Sequence, residues 1–288
     1  MARSNKNVSS IVGRDPVWVR VLLISLAVLW LSALVAIPLV SIFVQAFDHG
    51  GAAYLEAIFA SDTFDALRLT LLIAFLVVPI NTLFGIAVAW CVAKFEFTGK
   101  SILSALIDIP FSVSPIIAGL VFVLLFGTQG YFGDWLAAHD IKILFAVPGL
   151  VLATLFVTFP FVARELIPAM QAQGTDEEQA GLVLGATGWQ TFWRITLPNS
   201  RWALLYGIVL CTARAVGEFG AVSVVSGHIR GKTDTLPLHV EILYNEYNFA
   251  AAFSAATILA AFGLVSLVAK KTLEYRLRRQ TKLLESKV

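Results

Sequence analysis

Six separate stretches of this chain are apolar for about twenty residues or more, and that repetition fixes the solvent before any other feature matters. A helix crossing a hydrocarbon core about 30 Å thick needs roughly 20 consecutive apolar residues. Stretches of that kind lie at about 21–47, 66–93, 103–126, 143–165, 203–226 and 249–269. The third is interrupted by Pro110 and Pro115, and the fifth by Arg214 and Glu218. Hydrophobic residues reach 58% and charged residues only 14%, against roughly 45–50% and about 25% in soluble domains. Lipid, not water, must therefore surround most of the chain. A net charge of +2 is too small to mark a nucleic-acid partner.

The apolar run from Val21 to Phe47 is longer than the roughly 7–15 residues of a cleavable leader, so it reads as a retained span. Asp15-Pro16 before it suits a helix start, and Trp18 suits the headgroup level. Orientation follows from where Lys and Arg fall in the connections. The tails and the 94–102 and 164–202 connections, counted from Arg3, Lys6 and Arg14 to Lys287, carry sixteen of them, and the alternate connections carry three, Lys142, Arg230 and Lys232. Both termini are expected in the cytoplasm, with residues 1–20 and 271–288 as tails. Cys91 and Cys211 sit inside apolar segments and read as small packing residues. His49, His139, His228 and His239 lie in outer connections without ligand spacing, so no metal is expected. Asp62, Asp65 and Arg68 read as a solvated helix start.

The longest cytoplasmic connection holds the most informative pattern. Around 175–198 it reads Gln179-Ala180-Gly181, then Gly185, then Ile195-Thr196-Leu197-Pro198, with Trp189, Phe192 and Trp193 at helical spacing. A short helix ending at a glycine, followed by a second one running to a proline, makes a compact knob on the membrane face. The spacing resembles the signature loop of ABC-importer permeases, where Glu-Ala-Ala is followed after three residues by Gly and nine residues later by Ile-x-Leu-Pro. Gln179 stands where that family carries Glu, and Gly181 where it carries the second Ala; Glu177 and Glu178, just upstream, are candidates to supply the missing acidity.

Three further stretches are similar to sulfate and thiosulfate permeases, above all to their W-type subunits: 109–115, 160–165 and 214–221. The Arg-x-x-Gly-Glu-Phe-Gly core at 214–220 is shared with molybdate permeases, and the continuation Ala221 to Gly227 favours sulfate. The resemblance implies an all-α membrane protein with six transmembrane helices and a type I importer permease fold. One peripheral helix at 21–47 would precede a five-helix core at 62–270, with a cytoplasmic coupling helix. It further implies a T-type permease as partner, two ATP-binding subunits holding ATP with Mg, and an extracytoplasmic sulfate-binding protein. On this reading Gln179, Ala180, Gly185, Ile195, Leu197 and Pro198 contact the ATPase. The chain itself would have no catalytic site and no cofactor, and would lie in the cytoplasmic (inner) membrane. A molybdate or tungstate importer of the same fold, and an ion-coupled secondary anion transporter, are the alternatives.

Inside the fifth stretch Arg214 and Glu218 stand four residues apart, the spacing of an ion pair on one helix face. A charge at that depth costs at least ~2.5–3.5 kcal/mol on insertion scales, so it pairs or faces a wet cavity. The pair either holds the fold or lines the pathway with Arg214 toward a passing dianion. Ser112 and Ser114, between Pro110 and Pro115, are either the caps of a packing kink or donors along the same pathway. Gly99-Lys100-Ser101 matches only the end of a phosphate-binding loop, since Lys94 occupies the position of its first glycine.

Overall fold

The computed structural model describes residues 16–285, with side chains to 276. Arg3, Lys6, Arg14, Asp15 and the end of the C-terminal tail lie outside the described residues. Every regular element within them is a helix. The chain opens with α1 (Val17–Ala46), α2 (Gly51–Phe59) and α3 (Ser61–Lys94), then α4 (Lys100–Ser112), α5 (Pro115–Phe126) and α6 (Gly133–Ala138). α7 (Val147–Thr158) and α8 (Pro160–Ala172) run on into α9 (Asp176–Val183), α10 (Gly188–Thr191) and α11 (Leu197–Asn199). The last four are α12 (Arg201–Val216), α13 (Gly220–Val225), α14 (Leu236–Asn245) and α15 (Phe249–Glu285).

Four helical stretches are long and apolar enough to cross a membrane: α1, α3, α7 with α8, and α15. Counting α4 and α5 as one bent span makes five. The two stretches that the sequence shows as interrupted, the third and the fifth, are the ones that form no single straight helix, and the physical reasons differ. At 113–114 the chain turns by 106° between α4 and α5, because the residue before a proline avoids helical torsions. α12 has 16 residues, about 24 Å at 1.5 Å per residue, short of the 30 Å core. It stops at Gly217, and the chain resumes as α13 three residues later.

The core gathers around α3. Ile73 and Val77 pack with Leu150 and Ala153 of α7, Val222 and Val225 of α13 and Leu238 of α14. Nearer the other end of α3, Ala89 meets Val162, Leu166 and Met170 of α8 and Ala203 and Cys211 of α12. Asn81 sits between these two groups, buried, and donates to Thr158 Oγ1 at 2.7 Å and to the Leu155 carbonyl at 3.3 Å. α1 lies outside this core against α15, with only Ala46 buried. Its exposed Leu22, Leu29, Trp30 and Leu34 would be untenable in water and suit lipid.

The two broken segments pack on each other. A Cβ on Gly119 of α5 would fall 2.8 Å from the Ala221 carbonyl oxygen of α13 and equally close to Val224 Cβ, so this crossing is closer than any side chain permits. Gly119→Ala is expected to destabilise the detergent-solubilised protein by about 1–3 kcal/mol, the usual range for overpacking. Gly263→Ala, at a glycine with open space around it, is expected to leave the melting temperature unchanged or slightly raised. A melting curve for each variant checks the pair.

Candidate functional site

The knob is built by three local devices. Asp176, Glu177 and Glu178 occupy the first turn of α9, where negative charge opposes the helix dipole. The helix ends in a Schellman turn: Ala186 N–H donates to the Gly181 carbonyl at 3.0 Å and Gly185 N–H to Leu182 at 3.0 Å. Gly185 has φ of 89° and nothing within 4 Å of a Cβ built on it, so backbone torsion alone demands glycine there. Thr187 and Gln190 then form a reciprocal capping box that starts α10. A π turn at Phe192–Thr196 leads through Pro198 into α12.

Part of the knob's polar surface is bonded to the rest of the chain. Glu178 meets Lys94 Nζ at 3.0 Å, at the end of α3, and accepts from Thr196 Oγ1 at 2.6 Å. Lys94 also donates to the Gly174 carbonyl, and Asn199 donates to Glu177. Of the two acids expected to supply docking charge, Glu178 is thus committed to Lys94 and Thr196, while Glu177 stays exposed and accepts from Asn199. Gln179 is exposed and bonds only Thr175 Oγ1, at 3.0 Å. Ala180 and Pro198 are exposed, and Ile195 and Leu197 half-buried. A Cβ on Gly181 would come 2.8 Å from Ile195 Cδ1, so the alanine of the permease signature would need only this terminal methyl to turn aside.

What faces outward is apolar. Val183 and Leu184 are 87% and 88% exposed, and Leu182, Trp189 and Trp193 join them at the tip. Behind them Phe192 is buried against Trp90 of α3, ring centres 4.6 Å apart. A rigid body with a bonded base and a bare apolar tip has the form of a docking element.

Within the membrane region, Arg214 Nη1 lies 2.7 Å from Glu218 Oε2. The pair forms as the spacing predicts, although not along one helix, since Glu218 lies past the end of α12. Its other oxygen accepts from the Ala221 amide at 2.9 Å and so caps α13. The Glu218 side chain is 1% exposed and that of Arg214 33%, leaving the guanidinium at the edge of open space. Ser112 and Ser114 are exposed at the α4–α5 turn; Ser112 makes one long contact, 3.5 Å to the Asp108 carbonyl, and Ser114 makes no capping bond. Pro115, the next residue, stands 3.1 Å from a Cβ built on Gly220, which sets the serine turn beside the Glu218 break.

Two features escaped the sequence reading. Asn81 was subsumed in an apolar span, although a lone carboxamide in mid-span is itself a signal for a helix-to-helix bond. His239, assigned to an outer connection, is a buried residue of α14: Nδ1 lies 2.9 Å from Asp234 Oδ2 and Nε2 3.2 Å from Thr63 Oγ1. It ties α14 to the start of α3. No group of three or more metal-ligating side chains occurs among the described residues.

This architecture matches known proteins. Residues 82–279 match the family model of the binding-protein-dependent transport system inner membrane component. The chain belongs to that family. It is 51% identical over 261 residues to the sulfate transport system permease protein CysW of Synechococcus elongatus, covering 91% of each chain. Identity falls to 34% with the permease protein CysT of Escherichia coli, over 88% of this chain and 92% of that one. Among solved structures, a bacterial alginate ABC transporter in complex with an alginate pentasaccharide-bound periplasmic protein aligns with a TM-score of 0.74 at 18% identity, over 96% and 99% of the two chains. That likeness establishes the all-helical fold of an ABC importer permease.

The buried Glu218 carboxylate makes a thermodynamic cycle informative. Arg214→Met alone is expected to destabilise the protein by about 3–5 kcal/mol, the cost of stranding a buried charge. Adding Glu218→Gln, which keeps an oxygen for the Ala221 amide, is expected to restore most of that loss. Melting temperatures of the two single variants and the double variant give the coupling.

Proposed function

We propose that this chain is the W-type permease subunit of an ATP-driven importer of sulfate and thiosulfate. The observation that carries this reading is identity with a CysW protein at 51% over nine-tenths of both chains, together with the knob. Its partners are a T-type permease, two ATP-binding subunits that hold ATP with Mg, and an extracytoplasmic sulfate-binding protein. The complex lies in the cytoplasmic membrane with both termini inside. A peripheral helix at 21–47 flanks a five-helix core at 62–270, in which α12 with α13 completes the remaining crossing. The sequence alternatives, molybdate import and ion-coupled transport, have no observation in their favour.

The mechanism follows from the bonds already described. The apolar tip at Leu182–Leu184, Trp189 and Trp193 docks on an ATPase subunit, with Gln179, Ala180 and Gly185 on the same element. When ATP draws the two ATPases together, the knob moves as one body, held by its Schellman turn, capping box and Glu178–Lys94 bridge. Motion passes to α3 through Lys94 and Trp90, and to α12 through Ile195, Leu197 and Pro198. The far end of α12 carries Arg214, so displacement at the cytoplasmic surface reaches the break where Arg214, Ser112 and Ser114 face the pathway. The guanidinium and hydroxyls stand in for part of the hydration shell of a dianion. No bond is made or broken by this chain during transport; hydrolysis belongs to the ATPase subunits.

The test is uptake of labelled sulfate into proteoliposomes holding this chain, the partner permease and the ATPase, with binding protein on the substrate side. Accumulation that requires ATP and is competed by thiosulfate more than by molybdate is expected. Gly185→Glu, which places a charge and a strained residue at the tip, is expected to abolish uptake while membrane insertion is retained. Uptake by this chain alone without ATP would overturn the assignment.

A further inference from the structure

The membrane-facing ends of α12 and α15 carry a feature that neither the docking knob nor the pathway uses. α15 begins with 21 residues without a charge, Phe249 to Ala269, about 31 Å of helix and so one hydrocarbon thickness. Lys270 is the first charge beyond it, with Nζ over the Tyr206 ring of α12 at 5.6 Å. Six residues on, and about 9 Å farther along the axis, the Arg276 guanidinium lies over the Trp202 ring at 5.4 Å. Arg201, the first residue of α12, places its guanidinium over the same ring at 5.3 Å. Two guanidinium groups thus share one indole just beyond the apolar length of α15.

Neither arginine has a carboxylate within ion-pair distance among the described residues. Lys270, by contrast, lies in the field of Glu165 of α8, so the unneutralised charge is that of Arg201 and Arg276. An indole face offsets the repulsion between two guanidinium groups, and each presents a planar fork suited to phosphate oxygens. The flanking surface is apolar and exposed, with Leu205, Leu264, Val265 and Val268 available to acyl chains.

We propose that Arg201, Trp202 and Arg276 form a binding site for the phosphate of an anionic phospholipid in the leaflet bordering the knob. A lipid held there lies at the root of α12, the helix that connects the knob to the Arg214 break. The inference requires only that the chain spans a membrane with these two helix ends at one surface. Its test uses the complex of the proposed function, but its readout is lipid binding rather than uptake, so its failure and that of the transport assignment are distinguishable.

The experiment is native mass spectrometry of the delipidated complex of this chain with its permease and ATPase partners, titrated with phosphatidylglycerol or phosphatidylcholine. The wild type is expected to take up one tight phosphatidylglycerol per copy of this chain. At about fivefold per arginine near a lipid surface, Arg201→Gln or Arg276→Gln should weaken that binding about fivefold and the double variant about 30-fold. Arg201→Lys with Arg276→Lys, which keeps both charges, should fall between and covers the case in which the glutamine variants do not assemble. Equal binding by the double glutamine variant, or equal affinity for phosphatidylcholine, would overturn the proposal. So would displacement of the lipid by millimolar inorganic phosphate, which marks a free-anion site, or loss of the lipid when the ATPase assembles, which marks a protein contact.

Discussion

A helix that ends inside a membrane leaves amides and carbonyls with no water to satisfy them, and the Glu218 carboxylate is this structure's answer at its deepest break. One oxygen caps α13 through the Ala221 amide and the other meets Arg214. The guanidinium in turn is held at the margin of open space rather than in the core. Once the chain breaks at 217–219, something must cover the break, and the α4–α5 turn does so with Pro115 against Gly220 and Gly119 against Ala221. Two interrupted spans that would each be unstable in lipid are made compatible by stacking one interruption on the other. The serine turn is thereby set beside the Glu218 break, which is the basis for the proposed anion path.

The knob obeys the opposite logic. Glu178 and Thr196 are bonded beneath it, while Asp176, Gln179, Gln190 and Arg194 stay in water. Beside these solvated groups stand Val183, Leu184 and Trp189, apolar and exposed. Solvation alone does not favour that bare tip, which suits an element that keeps its shape while a partner pushes on it. Glu178 is the hinge of this design: its bonds to Lys94 and Thr196 tie α9 to α3 and to the π turn that leads into α12, and a load applied to α9 is shared between them. The π turn and Pro198 relax the backbone where knob becomes span.

Length and hydropathy made α1, α3, α7 with α8, and α15 legible, because a run of apolar residues in lipid has only the helix available to it. The same ruler does not see where Pro115 and Gly217 divide a stretch, since hydropathy averages over a break that backbone torsion does not. At the site, the spacing of Gly185 to Pro198 and of Arg214 to Glu218 could be read directly, as both are local in sequence. The roles of Glu177 and Glu178 could not. Their partners, Asn199 and Lys94, lie 22 and 84 residues away, and without the fold a surface acid next to a docking motif looks like part of it. The partners of Asn81 and His239 are hidden for the same reason, since each bonds across the bundle, to Thr158 and to Thr63.

Central to this account is that the break beside Arg214 and Glu218 is a wet, gated passage rather than a lipid-facing kink. The direct measurement is thiol accessibility at Ser114→Cys, with Cys91 and Cys211 replaced by alanine, in the assembled complex in proteoliposomes. Membrane-impermeant maleimide would be applied to either face, with ATP absent or with hydrolysis trapped. The account predicts modification from the cytoplasmic face at rest and from the opposite face in the trapped state. Absence of modification from both faces in both states, while the complex still transports, would place the serine turn in lipid and contradict it.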